Sequence, residues 1–394
     1  MARIPITGIG VIAPGAIGID AFRAQLESGT SAIAEVTRFD TGGLSAHKAA
    51  LVNDFKPKEF IAPMKMRRMN ALSRLGVAAA KLAVADCGGT LDANTGVAIG
   101  TAFGPVQTSV EYMQEYVAKG AALAPPQLFA ESVANAAGSH IAIEWGLRGF
   151  NITITQRESS AAAAAMFAAA QLLKESVASA LIGGVDEANE MLFSVLDRIG
   201  ALAHASGELD EAARPFDTRR NGLVLGEAGA VLVAAGGTRK PYGWLSGFGI
   251  ARDTSASISD WGDDPSTVVT AMRAAIADAE LEPAAIDAIY ASANGSLRGD
   301  ALEQRAIQQL FGERIPPVVA TKGLFGEYAA GGALQIVAAL LALEDQKLHA
   351  SPGFEQGELP VTRETRAAEV RHVLVNTLSA GGGVVCAVVS REEA

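Results

Sequence analysis

Two cysteines, five histidines and an aromatic content of 6% are sparse for a chain of 394 residues. Each shortage removes a class of function. Cys87, in ADCGG at a helix end, and Cys386, in GGGVVCAVV on a buried strand, are neither neighbours nor spaced as metal ligands. They read as two core thiols in a reducing compartment, with no disulfide framework and no metal site. Positive charge is short as well, the net charge being −11. The densest basic cluster, Lys65-Met66-Arg67-Arg68, is brief and flanked by apolar helix formers, so nucleic acid is excluded as a ligand. A very acidic partner would have to be met by a local patch rather than by the field of the whole protein. No apolar stretch long enough for a membrane span is free of charge, Gly or Pro. MARIPITGIG carries neither the apolar core nor the cleavage pattern of a secretory signal. The expectation is a soluble, cytoplasmic chain.

What is abundant is small and apolar: 49% of residues are hydrophobic, only 19% are charged, and there are 42 glycines. That composition predicts closely packed layers, in two domains or one large α/β unit. Short β-rich runs alternate with longer helical patterns, among them RIPITGIGV, GVAIGTA, SALIGGV, AGAVLVAA, AIDAIYAS, PPVVATK, RHVLVNT and VVCAVVS. Continuous apolar strands between helices indicate sheets covered on both faces. A weak echo links the helix ending at Cys87 and the following GVAIGTA to TVVTAMRAAIADAEL and the following AIDAIYASANGS. The echo predicts two halves of one topology, residues 1–236 and 237–394, joined near Gly236–Pro241 and sharing one core.

Two stretches carry signals of chemistry. Gly8-Ile9-Gly10-Val11-Ile12-Ala13 fits the small-residue fingerprint of a dinucleotide fold, but Pro14-Gly15 follow where the phosphate-binding helix should run. The better helix start is Asp20 as N-cap of AFRAQL, and the glycines read as a strand-to-loop turn. No cofactor is expected. The second stretch is NITITQRESSAAAAAMFAAA, Asn151 to Ala170, where a β-branched run turns into an Ala-rich helix. Such an elbow presents a nucleophile at a helix N-terminus, yet its tip holds Gln156-Arg157-Glu158.

The opening ITGIGVIAPGAIGIDAFRAQLESGTSAI…RFD resembles that of the β-ketoacyl-carrier-protein synthases, the condensing enzymes of fatty acid and polyketide assembly. RPFDTRRNGLVLGEAGAVLV resembles the family's R-P-F-D-x-x-R-x-G-F-V-x-G-E-G segment almost position by position. KGLFGEYAAGGALQ and NTLSAGGG resemble its K-S-x-x-G-H and N-S-F-G-F-G-G loops. The resemblance implies an α/β thiolase fold, duplicated and five-layered (αβαβα), in an obligate dimer, with a dimer-interface insertion at about residues 100–140.

The active-site positions depart from that pattern. Laying Gly149-Phe150-Asn151 and Ser159-Ser160 on the family's flanks puts Glu158 on the nucleophilic Cys, whereas Gln156 would need a two-residue slip. Asn294 in SANGS stands for the first catalytic His and Glu327 in GLFGEY for the second, each beside a loop two residues short. None of His47, His140, His204, His349 and His372 occupies a matching loop, and His140 reads as structural. Condensation needs a thiolate to carry the acyl thioester and donors to stabilise an enolate. A carboxylate at 158 cannot do the first, and one at 327 opposes the second. Glu158 has two readings. Either it is kept for the helix dipole, worth roughly 0.3–1 kcal/mol, or Glu158 or Glu327 pairs with the retained Lys322, whose usual carboxylate on the next helix is Gln335 here.

The family's precedent for a Cys-less member is the chain-length factor, which pairs with an active ketosynthase, shapes the acyl tunnel at the interface and works with acyl carrier protein. Glu158 together with KGLFGEYAAGGALQ is most similar to partner subunits of polyene pathways such as aryl polyenes. Val110, Tyr112, Met113 and Tyr116 fall on the family's interface helix and are either tunnel-lining residues or ordinary core packing. The family's gatekeeping Phe corresponds to Ala380. The rival expectations are a malonyl-carrier-protein decarboxylase and a condensing enzyme using another nucleophile such as Ser159.

Overall fold

The apolar runs pair into one continuous sheet. The computed structural model describes residues 3–328 and 330–391. Besides the two-residue strand Ala16–Ile17, which pairs back on the first strand, five strands come from the first half: β1 (Ile4–Ala13), β2 (Gly96–Gly100), β3 (Asn151–Ile154), β4 (Ala180–Asp186) and β5 (Ala228–Ala234). Five come from the second: β6 (Gly243–Arg252), β7 (Ala288–Tyr290), β8 (Val318–Val319), β9 (His372–Ser379) and β10 (Gly383–Ser390). Their spatial order is β3-β2-β4-β5-β1-β6-β10-β9-β7-β8. Read outward from the β1–β6 seam, the two halves have the same order and the same pairing directions, antiparallel first and then parallel at the two outer pairs. The faint sequence echo is therefore a repeat of topology.

Helices fill three layers around these strands. In β4, Ala180 and Ile182 face a central cluster while Leu181 and Val185 face an outer one. In β9, Val373 and Val375 face the same central cluster while Leu374 and Leu378 face the opposite outer one. The central layer holds Ser160–Leu173 and Ala333–Asp345, and Ala333 to Leu343 are buried without a break. A helix that is apolar all round has to be enclosed on all sides. Ala71–Asp86 and Ala136–Trp145 cover one outer face, and Pro265–Asp278 and Leu297–Phe311 the other. This is the duplicated five-layer thiolase fold.

Three local expectations are corrected. Gly8 and Gly10 are not in a strand-to-loop turn but inside β1, where a Cβ on Gly10 would stand 1.9 Å from the Ala79 carbonyl oxygen. They are glycine so that Ala71–Asp86 can lie directly on the strand. The first helix is Ile19–Ser28, capped at Gly18 with φ 91, so Asp20 sits inside its first turn rather than at the cap. The chain leaves β1 and a short returning strand through that left-handed Gly18, which fixes the start two residues early. Strand β6, GWLSGFGIAR, adds to the runs the sequence marks as strands; glycines interrupt its apolar pattern.

Candidate functional site

The elbow forms as its sequence requires. Strand β3 ends at Ile154, Arg157–Ser159 make one 3₁₀ turn, and the helix starts at Ser160. Arg157 takes φ 46, the left-handed strain that a strand-to-helix reversal concentrates at one residue. Ser159 is fully buried; its hydroxyl donates to the Thr377 carbonyl at 3.0 Å and meets Ser379 Oγ, so no base addresses it.

Glu158, Asn294, Lys322 and Glu327 are each only 1–2% exposed. The fold brings them together. Lys322 Nζ and Asn294 Nδ2 both donate to Glu327 Oε2 at 2.6 Å, and the Tyr328 backbone N–H donates to Glu327 Oε1 at 2.8 Å. Lys322 is thus paired with Glu327 and not with Glu158. Gln335 stays buried, and its Nε2 has no hydrogen-bond partner among the described residues.

Glu158 has neutral partners instead. The Tyr328 hydroxyl donates to its Oε1 at 3.0 Å, and the Ala380 N–H donates to its Oε2 at 3.2 Å. Burial, and next the Glu327 carboxylate, push the Glu158 carboxyl up to about 7. Burial likewise holds the Asp186 carboxyl at the end of β4 well above its ordinary range, although it accepts the Ala102 N–H at 2.6 Å and the Thr101 hydroxyl at 3.0 Å. One lysine therefore faces several buried carboxyls.

Neighbouring loops are tied to this set. Asn294 N–H donates to Asp300 Oδ1 at 3.0 Å, and Phe216 N–H to Asp300 Oδ2 at 2.8 Å. Burial pushes Asp300 up to about 6 and Glu303 up to about 7. Asp217 of the R-P-F-D segment accepts Arg219 Nε at 2.8 Å and the Glu355 and Gln356 N–H groups at 2.7 and 3.0 Å, which explains why that segment is so specific. The space bordered by Trp261, Ser292, Asn294 and Glu303 has no room for a water-sized sphere. A cavity of about 420 Å³ lies elsewhere, among Arg38, Phe55, Arg74 and Glu187, and none of the site residues lines it.

Sequence reasoning missed Tyr328, Asp186 and Glu303. Only Tyr328 had a signal, its adjacency to Glu327. No histidine joins the set: His140 Nε2 meets Glu131 at 2.9 Å, and His349 Nδ1 meets the Tyr290 hydroxyl at 2.6 Å. Among the described residues no group could hold a metal ion, and no helix is long and apolar enough to cross a membrane.

The second group of predicted residues lies apart. Val110, Tyr112, Met113 and Tyr116 sit on Val106–Lys119, a helix whose one buried residue is Thr108. Val110 and Tyr112 are half-buried, and Met113 and Tyr116 are 52% and 42% exposed. Val117, Leu123, Phe129 and Val133 extend this exposed apolar surface. Met191, Val195 and Ile199 continue it on and just beyond the contacting helix Glu190–Arg198. Strand β3, at the sheet's end, presents an open edge.

A five-layer duplicated frame with a strained elbow at a central helix defines a condensing-enzyme scaffold of the thiolase fold. The family model for the N-terminal domain of β-ketoacyl synthases matches residues 1–236, and that for the C-terminal domain residues 242–355. The chain belongs to the β-ketoacyl synthase family. It is 26% identical over 400 residues to 3-oxoacyl-[acyl-carrier-protein] synthase 2 of Vibrio harveyi, covering 96% of each. It is 29% identical over 359 residues to the tetracenomycin polyketide synthase ketoacyl synthase beta subunit of Streptomyces glaucescens, covering 87% of this chain and 86% of that one. Among solved structures it is similar to the ishigamide ketosynthase/chain length factor, with a TM-score of 0.91, 26% identity and 99% coverage of each chain.

Proposed function

We propose that the chain is a catalytically silent ketosynthase-like subunit, a chain-length factor. It pairs with an active β-ketoacyl-carrier-protein synthase and helps to shape the acyl tunnel at their shared face. The observation that carries this reading is the closed Lys322–Glu327–Asn294 set. Donors that would stabilise an enolate are turned onto a carboxylate of the chain itself, and the elbow offers a carboxyl in place of a thiol. The likeness to a ketoacyl synthase beta subunit and to a ketosynthase/chain length factor supports the same reading.

The exposed apolar surface from Met113 to Val133 and around Met191 supports a heterodimer, with β3 as an edge available to continue the sheet into a partner. We assign residues 100–140 to that interface, and residues 1–236 and 237–394 to the two ketosynthase-like halves. Val110, Tyr112, Met113 and Tyr116 are the tunnel-shaping residues. Acyl carrier protein is the second partner, and elongation of a type II polyketide, aryl polyene or fatty-acid-like chain is the process. Two buried free thiols fit a reducing cytoplasm.

The test is intact-mass analysis of malonyl-loaded acyl carrier protein incubated with this chain alone, followed by co-purification with ketosynthases. Unchanged malonyl carrier and a stable complex are expected. Conversion to acetyl carrier would make the chain a decarboxylase and overturn the reading.

A further inference from the structure

We propose that Tyr328 is a stopper. Its ring fills the passage that an acyl chain would take from the elbow toward the partner-facing surface, so that this subunit holds no chain of its own. What the seal is for rests on the reading of the chain as a partner subunit; the seal itself does not.

Tyr328 is 3% exposed and links two regions. At one end its hydroxyl donates to Glu158 Oε1 at 3.0 Å, the position from which a thioester would extend. At the other its ring meets Phe103 edge-on, with centroids 4.9 Å apart, inside a cluster that contains Leu192, Phe193 and Leu196. Those three belong to Glu190–Arg198, whose outward face exposes Met191 and Val195. The line from elbow to surface is thus filled by the Tyr328 ring, then Phe103, then the inner face of that helix.

The backbone shows that this placement is imposed. Tyr328 has φ 62, a left-handed conformation unfavourable for a bulky side chain, so its contacts must hold it there. Glu158 explains the tether: in this chain the elbow residue accepts a hydrogen bond from the stopper instead of carrying a substrate.

The seal is tested on the full chain by displacement of a polarity-sensitive fluorescent probe with saturated fatty acids from hexanoate to dodecanoate. Glycine accepts φ 62 without strain, so Tyr328→Gly removes the ring while keeping the turn. Phe103→Ala opens the same line from its other end. Wild type and Tyr328→Phe, which retains the ring, should bind all the acids equally weakly. Tyr328→Gly and Phe103→Ala should bind with affinity rising roughly fourfold for each methylene buried, until the cavity is full. The proposal fails if both variants, folded by circular dichroism, bind no more tightly than wild type. It also fails if wild type itself shows the chain-length dependence. Opening by Tyr328→Gly in a chain that pairs with no ketosynthase leaves the seal standing and removes the partner reading.

Discussion

Replacing Lys322 by Met removes one charge at nearly constant volume, so the cavity cost is small and the effect reports on electrostatics. Lys322 and Glu327 are 2.6 Å apart, with side chains 3% and 2% exposed. Breaking such a pair from one side strands a buried charge and typically costs about 3–5 kcal/mol. Asn294 Nδ2 and the Tyr328 N–H remain as donors to the carboxylate and hold the loss toward the lower end. A loss of about 3–4 kcal/mol, with an unfolding entropy of about 2.1 cal/mol/K per residue, lowers Tm by about 4–5 °C in a 394-residue chain. Calorimetry at fixed protein concentration reads it, because association raises apparent stability by mass action. Lys322→Met/Glu327→Gln should recover most of the loss. A single variant that melts with wild type, or a double variant no better than the single, would refute the reasoning.

Three further outcomes are expected. Burial pushes Glu158, Glu187 and Glu303 up to about 7 from 4.5, so each contributes stability that is full below pH 4.5 and lost as pH rises through 7. Burial holds His349 down at about 4 from 6.5, so its contribution is full above pH 6.5 and lost toward 4. With Asp186 and Asp300 raised by burial as well, the carboxyls outweigh the imidazoles, so Tm should be higher at pH 5.5 than at 7.5, and Glu158→Gln should flatten part of that slope; a Tm that rises with pH throughout contradicts this. Met113→Asp with Tyr116→Asp should abolish co-purification with a ketosynthase by at least about tenfold in affinity, while Tm of the isolated chain moves by less than about 1 °C, because exposed substitutions stay within roughly 0.5 kcal/mol. Retained binding would mean that the partner docks elsewhere. Glu327→His should destabilise by leaving Lys322 without its carboxylate, and Gln335→Glu should rescue it. A double-mutant cycle should give a coupling of about 0.5–3 kcal/mol, and additivity would show that Gln335 does not face Lys322.

The strands were legible because eight of them are short apolar runs bounded by turn residues, which is what burial on both faces demands. Strand β6 was hidden by its own glycines: Gly247 and Gly249 are there so that Pro265–Asp278 can lie on the strand, with Ala275 O 2.3 Å and Ala271 O 2.0 Å from where a Cβ would stand. The same cause made Gly8 and Gly10 look like a phosphate loop. At Gly8, Gly10, Gly247 and Gly249 glycine inside a strand marks where a helix of the outer layer presses on the sheet, and a local pattern carries no record of that tertiary approach.

The site divides in a similar way. Residues 158, 294 and 327 could be singled out from motifs, because neighbours such as Gly149-Phe150-Asn151 and Ser159-Ser160 fix a register for comparison. Their pairing could not. Lys322 and Glu327 lie five residues apart around a turn at Gly326, with φ 75, that brings Glu327 back to the ammonium, whereas Glu158 reaches the same neighbourhood from an elbow more than 150 residues away. Spacing alone offers both carboxylates to one lysine. What decides is that Glu327 collects three donors, Lys322, Asn294 and its neighbour's N–H, while Glu158 is left with a phenol and one amide. Residues 158, 294 and 327 are therefore one connected set. The carboxylate at 327 takes the lysine and the amide at 294, and burial beside Tyr328 pushes the carboxyl at 158 up to about 7.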